Sequence, residues 1–192
     1  MSDLQCPARV FLARHAEAEY ETELLMDHGG SLTTAGRAQA RELGEKLRSE
    51  RVAHVYSSTI SRAVQTAELA AAVLGVGVTV REGLVELALG EASGQPAGTG
   101  VFIPQLKEWV AGNVEAKAPG SESAVEITAR VRTVLDDLAD RHRGEAVLVV
   151  SHGGAIVATL AVLAFEPGRS WDVPNCSYVQ LEGDSGGWRA LG

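Results

Sequence analysis

Short apolar runs alternate with stretches of helical periodicity along almost the whole chain, and few architectures accept that rhythm. The first run, Arg9-Val10-Phe11-Leu12-Ala13, reads as a buried strand. Over residues 34–50, Gly36, Ala40, Leu43 and Leu47 fall on one helical stripe. Residues 54–58 form a second strand candidate, after which Ile60, Ala63, Val64, Ala67, Ala70, Ala71 and Leu74 recur at helical spacing. Residues 78–81 read as a third short strand. The Gly75-Val76-Gly77 run before it is a helix stop, because the remaining glycine of a dinucleotide fingerprint is absent. Ser123 and Glu126 form a capping box that opens a helix through Ile127, Val131, Val134, Leu135 and Leu138 to about Arg141. Residues 146–151 make a strand, and Gly153-Gly154 opens an apolar helix that runs to Phe165. Residues 178–181 and 188–191 make a terminal hairpin around a Gly-rich turn.

Strands alternating with helices imply an α/β fold, a three-layer α/β/α sandwich with a mostly parallel sheet. A length of 192 residues suits a single domain over residues 1–192. The interval 87–120 breaks the rhythm. It is rich in Gly and Pro and holds one short amphipathic helix that starts at Pro104 and carries Leu106, Trp109 and Val110. It reads as a small cap inserted near the ligand-binding end of the sheet.

A formal net charge of −8 argues against nucleic acid and anionic membrane surfaces as partners. The longest apolar stretch, residues 155–165, contains Thr159 and falls far short of the roughly 20 residues a membrane helix needs. Residues 1–13 lack the basic start and unbroken apolar segment of a secretory signal, so the expected location is cytoplasmic. Cys6 and Cys176 allow no disulfide framework and lack metal-site spacing. Gly183-Asp184-Ser185-Gly186-Gly187 spells a serine-hydrolase string, but Trp188 follows it in place of proline and the chain before it alternates strand with helix. It reads as the turn of the last hairpin.

In open α/β sheets ligands bind beyond the carboxyl ends of the strands. The first strand ends in Arg14-His15, the second runs through Ser57-Ser58 to Arg62 on a first helical turn, and the late strand ends in Ser151-His152-Gly153-Gly154. An arginine or histidine at any one of these places is ordinarily a solvated rim residue. Two arginines and two histidines at three strand ends instead converge on one crevice.

These residues belong to a longer ordered set. Arg14-His15-Ala16-Glu17 resembles the Arg-His-Gly-Glu signature of the histidine phosphatase superfamily, the phosphoglycerate-mutase-like proteins. Leu32-Thr33-Thr34-Ala35-Gly36-Arg37-Ala38-Gln39-Ala40 is similar to that family's Leu-Thr-x-x-Gly-x-x-Gln-Ala segment. Ser57-Ser58 with Arg62-Ala63 and Gln65-Thr66-Ala67 is similar to its phosphate-arginine segment. Leu84-Val85-Glu86 with Gly90 and Gly94 resembles the stretch that carries its acid, and Val149-Val150-Ser151-His152-Gly153-Gly154 its second histidine motif. The resemblance runs from Arg14 to about Asn175, with the five motifs in family order.

The resemblance implies that His15 attacks phosphorus and becomes phosphohistidine, that Glu86 is the general acid, and that His152 completes the catalytic set. It further implies that Arg14, Arg62 and the backbone about Gly153 bind the phosphate. The chemistry of these residue types agrees. A phosphate monoester hinders its own attack by anions, so a neutral imidazole suits the nucleophile and a cation cluster must hold the equatorial oxygens. Arginine forks bind them bidentately, and backbone N–H groups at the Gly153-Gly154 helix start add partial positive charge. No metal or other cofactor is implied, and His28, His54 and His142 read as surface or packing residues. The expected partner is a small-molecule phosphate ester, and the oligomeric state is left open.

Ala16 replaces the usual Gly and adds a methyl beside the phosphate loop, while Ala18 and Glu21 stand where many members place Ser or Thr and Asn. The cap holds only Lys107 and Lys117 against Glu91, Glu108 and Glu115, whereas a mutase must also grip a substrate carboxylate. The expectation is a phosphomonoester hydrolase acting on a small phosphorylated metabolite. The alternatives are a phosphoglycerate-mutase-like phosphomutase and a catalytically weak phosphate-binding module.

Overall fold

Two strands are apolar along almost their whole length, which makes sense only if both of their faces are covered. In strand β1 (Ala8–Arg14), Val10 and Leu12 enter one core while Phe11 and Ala13 enter another. Strand β6 (Ala146–Ser151), buried at every residue, divides in the same way: Val147 and Val149 on one side, Leu148 and Val150 on the other. The computed structural model describes residues 6–164, 172–184 and 187–191. Residues 1–5 of the N-terminal reading, Phe165 as the helix end, and Ser185 and Gly186 of the hairpin string lie outside the described residues.

The other elements are β2 (Ala18–Glu19), β3 (Ser31–Leu32), α1 (Thr34–Lys46), β4 (Val52–Ser57), α2 (Ser61–Leu74) and β5 (Val78–Val80). They are followed by α3 (Ile103–Val110), α4 (Ala124–Arg141), α5 (Gly153–Leu163), β7 (Tyr178–Asp184) and β8 (Gly187–Leu191). The main sheet runs β5-β4-β6-β1-β7-β8, with parallel pairing from β5 through β1 and antiparallel pairing through β7 and β8. Leu43 of α1 and Ala63, Ala67 and Ala70 of α2 cover one face. Ile127, Val131 and Leu135 of α4 and Ile156 and Leu160 of α5 cover the other. The three-layer α/β/α arrangement with a mostly parallel sheet is therefore present.

Register decides where the site forms. Arg14 pairs with Ser151, Ser57 with Val150, and Val80 with Ser57, so four parallel strands end at one level. His15, Ser58 and His152 follow at that edge.

Local signals set the element ends. The Ser123–Glu126 capping box is formed in both directions, and Gly75 at φ +75° stops α2 with its N–H on the Ala71 carbonyl. The stripe over residues 34–50 is not one helix: α1 gives way to a 3-10 turn at Arg48–Glu50, ended by Arg51 at φ +55°. The second strand starts at Val52, earlier than expected, with an irregularity in its pairing between Val52 and His54. The short β2–β3 pair had no signal in the sequence. In the last hairpin Gly183 faces Trp188, whose ring would stand 2.5 Å from a Cβ placed there. That close approach accounts for one glycine of the serine-hydrolase string.

The segment 87–120 carries a 3-10 turn (Gly90–Ala92) and α3, and it is rooted in the core. Trp109 is fully buried in the cluster of α4 and α5 and donates its indole N–H to the Ala116 carbonyl at 2.8 Å. Phe102 and Leu106 pack against that cluster, so the apolar face of this segment is used for anchoring. The segment also joins residues 23–27, through Leu25 N–H to the Gln95 carbonyl (2.7 Å) and Leu89 N–H to Asp27 Oδ1 (2.9 Å).

One close approach is decisive for the first helix. Gly36 donates its N–H to the Thr33 hydroxyl cap, and a Cβ on it would stand 2.0 Å from the Glu17 carbonyl oxygen. Helix propensity alone favours Gly36→Ala by about 1 kcal/mol. Overpacking against backbone costs about 1–3 kcal/mol and more where neither side can shift. Gly36→Ala is therefore expected to lower the urea midpoint of unfolding, and a raised midpoint would refute this account of the α1–loop contact.

Candidate active site

His15 follows directly on β1 and is almost fully buried. Its N–H donates to the Ser151 carbonyl (2.9 Å), its own carbonyl accepts from Asn175 Nδ2 (2.8 Å), and the next N–H, of Ala16, donates to the Thr66 hydroxyl (3.0 Å). The imidazole Nδ1 lies 2.8 Å from the Ala16 carbonyl, which only accepts, so Nδ1 carries the proton. Burial above all, and then the fields of Arg62 and Arg14, bring the pKa down to about 4 against the raising effect of that backbone bond. At neutral pH the ring is uncharged and Nε2 holds the lone pair. That lone pair accepts from Arg62 Nε at 3.1 Å.

Arg62 stands in the first turn of α2, buried, with Nη1 on the Gly29 carbonyl (3.0 Å) and its guanidinium carbon 5.5 Å from the Tyr20 ring centre. The Arg14 side chain donates Nη1 to the Val173 carbonyl at 2.9 Å. Gly153 faces it: a Cβ there would lie 3.5 Å from Arg14 Nε. His152, fully buried, has Nε2 at 2.7 Å from the Ser58 hydroxyl and its ring centre 5.2 Å from that of His15. Burial first, then the charges about it, hold its pKa well below the ordinary value. Among the described residues Arg14 Nε, Ser57 Oγ and His152 Nδ1 are buried without a hydrogen-bond partner. All three sit at the ends of β1, β4 and β6.

Glu86 reaches the same edge from the loop after a 3-10 turn at Glu82–Leu84. Its carboxylate accepts from the backbone N–H groups of Leu87 (2.9 Å), Gly154 (3.2 Å) and Ala155 (2.8 Å). This corrects one expectation. The Gly154 N–H, assigned from the sequence to phosphate, is taken by Glu86, because the carboxylate lies over the start of α5 where the helix offers unpaired donors.

The structure thus brings Arg14, His15, Arg62, Glu86, His152 and Gly153 together. It adds residues not assigned to the site from the sequence: Ser58 and Thr66 within the quoted motifs, Asn175 at their end, and Arg130 and Glu122, which carried no motif. The Ala16 methyl packs with Leu32 and Ala40 in a small fully buried cluster, and Ala16 is not among the residues at positive φ, so the methyl is accommodated. Glu17 accepts from the Thr33 hydroxyl (2.6 Å), which ties the site loop to the cap of α1. Glu21, in the position usual for Asn, accepts the Gly30 N–H at 3.2 Å. His54 and His142 are used in packing: His54 Nε2 meets the Thr79 hydroxyl, and His142 bridges the Tyr56 hydroxyl and Glu145. His28 is exposed. Among the described residues no three His, Cys, Asp or Glu side chains are grouped as a metal ion would need, and no helix is long and apolar enough to cross a membrane.

The His15 environment makes a direct prediction. As pH falls through 6.5 the ring should stay neutral, taking its proton only near pH 4. Nitrogen-detected NMR of the ligand-free protein should report a midpoint near 4 and the Nδ1–H form above it. A midpoint near 6.5, or the Nε2–H form, would contradict the geometry.

The model of the histidine phosphatase superfamily (branch 1) matches residues 10–192. The probable phosphoglycerate mutase GpmB of Salmonella choleraesuis is 30% identical over 193 aligned positions, which cover 96% of this chain and 89% of that protein. Among solved structures, mycobacterial glucosyl-3-phosphoglycerate phosphatase in complex with VO3 is similar at 26% identity and a TM-score of 0.76, covering 95% of this chain and 96% of the other. Bacillus stearothermophilus YhfR is similar at 26% identity and a TM-score of 0.77, covering 96% and 95%. With its site geometry and its match over nearly the whole length, the chain belongs to the histidine phosphatase superfamily.

Proposed function

We propose that the protein is a cofactor-independent phosphomonoester hydrolase that acts through a phosphohistidine at His15 on a small phosphorylated metabolite. One observation carries this reading. A neutral imidazole with its Nε2 lone pair at the crevice stands beside Arg62, Arg14 Nε and His152 Nδ1, the last two buried and without a protein partner among the described residues. Buried donors in such number suit an anion with several oxygens.

In the proposed reaction Arg14, Arg62 and His152 hold the equatorial oxygens, and the Ser58 hydroxyl donates to His152 Nε2 so that Nδ1–H faces the phosphate. Gly153 leaves the Arg14 guanidinium uncovered. Arg62 Nε moves from the His15 Nε2 lone pair to a phosphate oxygen, the freed lone pair forms the bond to phosphorus as the bond to the alcohol oxygen breaks, and Glu86, entering this step as the carboxylic acid, gives that oxygen its proton. The Ala16 carbonyl, already bonded to Nδ1–H, stabilises the positive ring of the phosphohistidine. Water then attacks phosphorus, Glu86 takes its proton, and the electron pair of the breaking P–N bond returns to Nε2.

The relatives include both a phosphatase and proteins named as mutases. Hydrolysis is favoured by the cap. Lys117 is committed to Glu126 at 2.8 Å, which leaves Lys107 as the other cation of segment 87–120 to meet a substrate carboxylate. The cytoplasmic setting is part of the same proposal, supported by the two free cysteines. Burial pushes the Cys176 thiol up to about 11, which suits an inert packing role.

Incubation with a ³²P-labelled phosphate ester and an alkaline quench should trap acid-labile label on the wild type and none on His15→Ala. Label kept by His15→Ala would overturn the assignment. Release of inorganic phosphate in the same reaction marks a hydrolase, transfer between positions of the substrate marks a mutase, and an absence of any turnover marks a binding module.

A further inference from the structure

Glu86 lies in a segment that belongs to neither helix nor sheet ladder, so its backbone groups must find other partners. Side chains supply them. Arg130 of α4 uses all five of its N–H donors: Nη1 on the carbonyls of Gly83 (3.0 Å) and Val85 (2.8 Å), Nη2 on the Glu86 carbonyl (3.1 Å) and Glu122 Oε2 (2.9 Å), and Nε on Glu122 Oε1 (2.8 Å). Glu122 Oε2 also accepts the Ala88 N–H at 3.0 Å. The residues on both sides of Glu86 are therefore gripped by one arginine–glutamate pair. Gly83 allows the grip, since a Cβ there would stand 2.8 Å from the Arg130 carbonyl.

A proton donor must sit within hydrogen-bond reach of the oxygen it serves, and displacement of about 1 Å can cost 10²-fold in rate. A loop without its own ladder cannot hold that tolerance unaided. We propose that Arg130, with Glu122, is the positioning residue for Glu86 in proton transfer to the leaving group. This rests on the reading of Glu86 given above. Arg130 contacts the backbone of the acid's loop and its partner carboxylate, so it acts through Glu86. Lysine cannot replace it, because three donors on one atom cannot span three carbonyls and a bidentate carboxylate.

The test uses esters whose leaving groups differ in their need for a proton. Departure of p-nitrophenolate needs none, whereas a propyl alkoxide does. In Arg130→Met, kcat/KM on propyl phosphate should fall about 10²-fold, the lower range for lost general-acid catalysis, and the fall on p-nitrophenyl phosphate should be at least tenfold smaller. Glu86→Gln should show the same bias, and the double variant should lose no more on propyl phosphate than Glu86→Gln alone. Equal losses on both esters, or losses that multiply in the double variant, would overturn the proposal. Should Arg130→Met fail to fold by thermal melting, Glu122→Gln is read by the same two criteria. If Glu86→Gln itself shows no bias, the proton-transfer reading of Glu86 fails and this inference fails with it. If Glu86→Gln is biased and Arg130→Met is not, only the positioning role is lost.

Discussion

The bond from His15 Nδ1–H to the carbonyl of Ala16 is the interaction on which the crevice depends. It holds the ring against rotation, and it decides which nitrogen keeps a lone pair. Burial and two neighbouring arginines then keep that lone pair free of protons. The surrounding scaffold serves to keep the carbonyl in place: Thr66 holds the Ala16 N–H, Asn175 holds the His15 carbonyl, and Ser151 of the central strand holds the His15 N–H. The electrostatic problem is solved locally. A net charge of −8 is screened over about 8 Å at physiological salt, whereas the Arg14 and Arg62 guanidinium groups stand inside the crevice beside His15. An acidic protein can in this way offer a cationic pocket to a small anion.

The second constraint is on the loop that carries Glu86. Where β1 and β6 receive their order from ladder bonds, residues 83–89 receive theirs from Arg130, Glu122, the Glu86 carboxylate and Asp27. The same carboxylate closes the N-terminus of α5, next to His152. The start of that helix, the Glu86 loop and the end of β6 are thus joined by hydrogen bonds, with Ser151 Oγ on the Leu84 carbonyl completing the link.

Much of the fold was legible because its signals are local. The apolar runs of residues 9–13 and 146–151, the Ser123–Glu126 box and the Gly75 stop each act within a few residues, and the structure keeps them. The helix expected over residues 34–50 broke after Lys46, because Arg51 turns at positive φ to start the next strand, a requirement of strand placement with no local pattern. At the site, His15, Arg14, Arg62, Glu86, His152 and Gly153 were marked by motif and by strand ends. Arg130 and Glu122 were not, since an arginine and a glutamate eight positions apart on and before a helix look like solvated surface until the loop they grip is placed beside them.

The sequence by itself determined the layered α/β architecture and the residue types at its ligand-binding edge, because hydrophobic period, capping and glycine placement are properties of neighbouring residues. Tertiary structure alone decided the charge state and direction of those residues. Whether His15 is neutral, whether the Gly154 N–H meets a phosphate or the Glu86 carboxylate, and whether the apolar face of α3 is open to a ligand or is buried in the core through Trp109 all depend on groups distant in the chain. Burial, field and hydrogen-bond competition are sums over space, and no local pattern in the chain encodes them.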